Sequence, residues 1–112
     1  VSGVQHLADA SFSFSDHLGW PPGALAALTA TTWRSRAYGD FWSHLLVAEG
    51  SVDVAGEPEL SVWDIAALIP IIEQAGGTVT GYDGSEALLA GNGLSSNGLL
   101  HDQARALVGP RD

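Results

Sequence analysis

The chain has 112 residues, of which 13 are acidic and 4 basic, for a formal net charge of −9. One domain with a modest core is the most this length supports, and a nucleic-acid binder held by a basic patch is excluded, since lysine is absent and the cations are Arg34, Arg36, Arg105 and Arg111. Cysteine is absent too, which removes disulfides, thiolate chemistry and Cys-based zinc sites, and the longest apolar run, Ile65 to Ile72, falls far short of the roughly 20 residues of a membrane span.

Charged residues make up 15% of the chain, against about 25% in a typical soluble domain. Mean hydropathy is nevertheless positive, at +0.14. The chain begins at Val1 and contains no methionine. It is therefore expected to be a piece of a larger protein, with part of its surface covered by the remainder. No secretory or transit pattern occurs in residues 1–10. Together with the absent cysteines, that places the expected compartment in the cytoplasm.

Ala10-Ser-Phe-Ser-Phe-Ser15 alternates apolar and small polar residues, the period of a half-buried strand. The turn-rich Gly19-Trp-Pro-Pro-Gly23 leads into a short helix over Ala24–Thr31. A second strand is expected over Trp33–Gly39. Asp40–Glu49 places Phe41, Leu45 and Ala48 on one helical face, with Gly50 at its C-terminal cap. A short strand follows at Val52–Ala55.

Ser61 to Ala75 carries the strongest helical pattern, with Ser61 and Asp64 spaced as a capping box and Gly76-Gly77 closing it. It is apolar on nearly every side, which predicts burial between layers, and Pro70 predicts a kink. Thr78–Thr80 and Ala87–Leu89 flank Asp83-Gly84, which reads as a hairpin turn. A last helix is expected over Gly98 to Val108. Strands separated by helices predict a layered α/β/α fold with a mixed, mostly parallel sheet.

The four histidines, His6, His17, His44 and His101, lack the i, i+4 spacing of a two-His metal helix. They read as ordinary surface or half-buried side chains. No phosphate-binding glycine motif occurs. The carboxylates carry more. Glu57 and Asp64 flank the connection from the Val52–Ala55 strand into the next helix, the crevice where open α/β sheets bind ligands. Asp40 opens the preceding helix. Three carboxylates converging there would suit a hard divalent cation or a cationic substrate. Spacing alone leaves the plainer readings open: Asp64 as the acid of a capping box, Asp40 as an N-cap, Glu57 as a loop acid like Glu59.

A longer pattern narrows the choice. Trp33-Arg-Ser-Arg-Ala-Tyr-Gly-Asp-Phe-Trp-Ser-His44, Trp63-Asp-Ile-Ala-Ala67, Glu73-Gln-Ala-Gly-Gly77 and Asn97-Gly-Leu-Leu-His-Asp102 together resemble the C-terminal half of the inositol monophosphatase family. The variants Arg36-Ala-Tyr-Gly-Asp-Phe41 and Asn97 to Asp102 resemble its histidinol-phosphatase branch.

The resemblance implies a Mg²⁺-dependent phosphomonoesterase acting on a small phosphorylated substrate, with Asp64 as a metal ligand and Glu57 against the substrate's alcohol portion. It also implies that Asp40 faces the substrate. Two carboxylates there suit the ammonium and imidazole of L-histidinol phosphate through charge-assisted hydrogen bonds, whereas inositol offers only neutral hydroxyls. Arg36 stands as a phosphate or substrate contact, or as a structural partner of the carboxylates. The family's other metal and phosphate motifs do not occur here. The chain is thus expected to be a C-terminal half that is inactive by itself, joins the missing N-terminal half, and forms a homodimer. The alternatives are an inositol or broad sugar-phosphate phosphatase, and a non-catalytic acidic binding domain.

Overall fold

A mixed sheet carries helices on both faces in the computed structural model, which describes residues 1–109. Strands β1 (Ser11–Phe14), β2 (Arg34–Arg36), β3 (Val54–Glu57), β4 (Thr78–Thr80) and β5 (Gly93–Ser96) lie in the order β2-β1-β3-β5-β4. β1 pairs in parallel with β2 and β3, and β5 pairs antiparallel with β3 and β4. Four strands therefore share a direction and β5 alone opposes them, as expected for a mixed, mostly parallel sheet. The helices are α1 (Ala24–Thr31), α2 (Asp40–Glu49), α3 (Val62–Ala66), α4 (Leu68–Gln74), α5 (Ala87–Ala90) and α6 (His101–Val108).

The strand period of two sorts side chains into two cores. Phe12, Val54 and Leu94 face Leu28 of α1 and Ala104 and Val108 of α6. The neighbouring residues Ser13, Ala55 and Ser95 face α2. They are small, so α2 approaches closely, and both hydroxyls find partners on it: Ser13 Oγ with Ser43 Oγ and Ser95 Oγ with His44 Nδ1, each at 2.7 Å. Val47 of α2 packs with Ala55. At the β4 edge, Val79 packs with Ile65, Leu68, Ile72 and Ala87.

Helices α1 and α2 form as expected, and Gly50 ends α2 in the left-handed region at φ +89°, its N–H returning to Val47 O. Elsewhere the structure corrects the sequence reading. The 61–75 helix divides at Ala67 into α3 and α4. Pro70 has no N–H to offer the Ala66 carbonyl one turn back, so the break falls there instead of at the proline. Nor is this pair of helices buried all round: Ile65, Leu68 and Ile72 are buried, whereas Val62, Trp63 and Ile71 are exposed.

Ala87–Ala90 is a helix, not a strand, closed by Gly91 at φ +74°. Asp83-Gly84 accordingly joins β4 to a helix, with Asp83 Oδ1 accepting from the Ser85 N–H and hydroxyl. The antiparallel partner of β4 is β5, a Gly-Leu-Ser-Ser run to which the sequence assigns no strand. That helix, α6, starts at His101. Two histidines also depart from expectation, since His44 is fully buried and His101 nearly so.

Candidate active site

The carboxyl ends of β1 and β3, the start of α2 and the start of α3 converge on one cleft of about 740 Å³. Ligand crevices of open α/β sheets form at this end of the strands. Asp40, Glu57 and Asp64 all line it, so the three carboxylates are brought together. Asp16 and Glu59 line it as well, and no arginine does. Among the described residues the ion pair is His17 with Asp16, at 3.3 Å on the surface. The cleft is thus a concentration of negative charge with no arginine or lysine among its lining residues.

Glu57, the last residue of β3, forms the floor and is only 6% exposed. One carboxylate oxygen accepts the Ser15 hydroxyl, while the other, Oε2, is buried without a partner. Burial pushes its carboxyl above the usual range, the Ser15 bond opposes that, and Asp40, Asp16 and Asp64 push further in the same direction. A buried carboxylate oxygen without a partner carries a desolvation cost, which a cation bound close to Glu57 would offset.

Asp40 stands on the rim as the first residue of α2, with Gly39 in the N-cap position. Its φ is +48°, the single positive value for a non-glycine residue among those described. The left-handed region costs an L-residue roughly 1–2 kcal/mol. Asp64 is exposed and lines the same cleft from the start of α3. Its Oδ2 accepts from the Ser61 hydroxyl at 2.5 Å and the Ser61 N–H at 3.4 Å. The capping box is therefore real, and Oδ1 takes part in neither bond.

Arg36 is not brought to this cleft. It is exposed on the edge strand β2, donates to Ser35 O at 2.8 Å, and lines a separate cavity of about 200 Å³ with Arg34, Trp33 and Tyr38. It is no partner of the cleft carboxylates. Sequence reading passed over Ser15 and Asp16, although Ser15 directly follows β1 and the strand-end rule that marks Glu57 marks it equally.

A hard divalent cation fits part of this set. Asp64 offers a free oxygen, and Mg²⁺ takes such donors while keeping some of its waters. Yet no three His, Cys, Asp or Glu side chains among the described residues are grouped to hold an ion. Asp64 could supply one ligand of a site, not a whole one.

A family model described as the inositol monophosphatase family matches residues 5–109. A histidinol-phosphatase of Streptomyces coelicolor is 50% identical over 99% of the chain and 43% of its own length. A histidinol-phosphatase of Mycobacterium tuberculosis is 51% identical over 92% of the chain and 41% of its own length. Among solved structures, an IMPase of Thermotoga maritima superposes with a TM-score of 0.87 at 31% identity, covering 96% of this chain and 43% of that one. The chain spans less than half the length of the curated relatives it matches.

Proposed function

Since the chain belongs to the inositol monophosphatase family, we propose that it is the C-terminal part of a Mg²⁺-dependent phosphomonoesterase that hydrolyses L-histidinol phosphate. The observation that carries this reading is the sharing of one uncompensated acidic cleft by Asp40, Glu57 and Asp64. A phosphatase of this kind needs a carboxylate for its metal, and a dicationic alcohol needs carboxylates of its own. The identity to two histidinol-phosphatases supports the same substrate.

Each side chain then has a task. Asp64 would hold Mg²⁺ as one of its ligands, and the bound ion would supply activation of a water and neutralisation of phosphoryl charge. Glu57 meets the alcohol portion of the substrate, where a cationic group favours its charged form against the upward push of burial. Asp40, at the start of α2 in the same cleft, takes the other cationic group. Arg36 is assigned no role in this cleft. The remaining metal ligands and the water-activating group belong to the N-terminal half of a longer protein. The exposed side chains of Phe41, Trp42 and Trp63 support an association with that half and with a second copy.

A chimaera joining the N-terminal part of the Streptomyces coelicolor relative to this chain tests the reading. It is expected to release phosphate from L-histidinol phosphate, with Mg²⁺, at least about 100-fold faster than from myo-inositol 1-phosphate. A folded chimaera that prefers the inositol ester identifies an inositol phosphatase. One that cleaves neither ester overturns the phosphatase reading.

A further inference from the structure

Part of the cleft wall is built by residues 15–19, which leave β1 and have no regular structure. Ser15, Asp16, Leu18 and Gly19 of this segment line the cleft. Such a segment is mobile unless something ties it down. Trp20 does so. Its indole N–H donates to Asp16 O at 2.8 Å, closing the segment on itself. Its ring stacks on Tyr82, with centroids 5.5 Å apart and planes 25° apart, and meets Phe12 and Phe14 edge-on at 5.9 and 6.5 Å.

The other three tryptophans, Trp33, Trp42 and Trp63, are at least half exposed. Trp20 alone is built into an aromatic cluster. Its seat is made by Gly56, the residue before Glu57: a Cβ there would lie 2.5 Å from the ring's Cη2. Phe12, Phe14 and Tyr82 bound the ring on its other sides, so a shift away from a Cβ at position 56 disturbs these contacts. Glycine at position 56 is thus the space in which the ring rests, one residue from the cleft floor.

Trp20 itself lines no part of the cleft. We propose that Trp20 is a positioning residue: seated on Gly56, it latches segment 15–19 against the sheet, so that Ser15 stays on Glu57 and Asp16 stays in the wall that faces the organic part of the substrate. The substrate in question is the one proposed above, and the inference rests on that reading to this extent only.

Two substitutions reach the latch from opposite sides. Trp20→Ala removes the ring, and Gly56→Ala displaces it while leaving it in the chain. On the 112-residue protein, amide hydrogen exchange at residues 16–19 is expected to accelerate about tenfold or more in both variants, with α2 and α6 unaffected. Trp20→Phe keeps the stacking but loses the indole bond, and is expected to recover most of the protection. The affinity for L-histidinol, read by NMR titration, is expected to fall about tenfold in both alanine variants and less than threefold in Trp20→Phe.

Unchanged exchange at residues 16–19 in a folded Trp20→Ala or Gly56→Ala protein overturns the latch. Faster exchange with unaltered L-histidinol affinity overturns its positioning role. If both alanine variants fail to fold, Trp20→Phe carries the test: exchange at residues 16–19 about two- to threefold faster than in the parent keeps the indole bond in the latch, and exchange equal to the parent's overturns it. Absence of L-histidinol binding by the parent chain counts against the substrate reading, and the exchange data then decide the latch alone.

Discussion

Asp64 accepts both of its hydrogen bonds from Ser61 through a single oxygen, Oδ2, at 2.5 Å from the hydroxyl and 3.4 Å from the N–H. One carboxylate can thus cap α3 and still present Oδ1 to the cleft. The two roles separate by mutation. Ser61→Ala loses the cap and is expected to cost about 1 kcal/mol of stability with little loss of phosphatase activity in the active chimaera. Asp64→Asn keeps an oxygen for the cap but loses the charge, so stability should change by less than about 1 kcal/mol while activity falls at least about 100-fold. Urea denaturation and phosphate release at several Mg²⁺ concentrations check both. Equal activity losses would leave Asp64 as a cap only.

Asp40 sits in a backbone conformation that disfavours it, at φ +48°. Asp40→Gly relieves roughly 1–2 kcal/mol of strain, offset by about 1 kcal/mol of added chain entropy in the unfolded state. Stability is therefore expected to hold or rise slightly. Asp40→Ser should cut turnover of L-histidinol phosphate far more than that of myo-inositol 1-phosphate, because only the first loses a charge-assisted bond. Kinetics with both esters read this directly, and equal losses would remove the reason for assigning Asp40 to the cationic substrate.

The buried histidines give the protein an acid side. His44, enclosed between α2 and β5, is pushed down to about 4 by burial. His101 is lowered by burial as well, with Asp102 opposing. Below pH 6.5 the unfolded chain takes up protons that the folded chain refuses, so stability falls as pH drops from about 6.5 toward 4. For His44 alone the loss reaches roughly 3 kcal/mol. Glu57, shifted upward, acts in the opposite sense, adding stability as pH falls through its folded-state pKa. Urea unfolding at pH 7.5 and 5 is expected to show a net loss, and His44→Asn should flatten it. A slope unchanged by that substitution would mean that His44 is not the group responsible.

Strong local signals were legible in the sequence, and weak ones were not. The alternation around Phe12 and Phe14, the capped helix from Asp40 to Gly50 and the Ser61–Asp64 box are each written within a few residues. β5 is not, because Gly93, Ser95 and Ser96 have low strand propensity; they are central because α2 and the α6 region need small, hydrogen-bonding neighbours, which is a tertiary demand. Ala87–Ala90 misled for the reverse reason, since a short apolar run has no period that separates helix from strand. The cleft followed from the strand-end rule applied to Glu57. The seat of Trp20 on Gly56 joins residues far apart in sequence, and no local pattern announces it.

The incompleteness of the metal set has its own consequence. Asp64 supplies one free carboxylate oxygen, and no three acidic or histidine side chains among the described residues gather around a point. A single exposed carboxylate competes poorly with the hydration shell of Mg²⁺, which dehydrates reluctantly. Calorimetry on the 112-residue chain is therefore expected to show only weak Mg²⁺ binding, with a Kd in the millimolar range or above, about 4 kcal/mol or less of binding free energy. The same chain should show no turnover of L-histidinol phosphate. In the chimaera, both properties should appear together, and Asp64→Asn should abolish both. Tight Mg²⁺ binding by the chain alone would instead favour a self-sufficient acidic binding domain, and turnover by the chain alone would show that the catalytic groups lie within these residues after all.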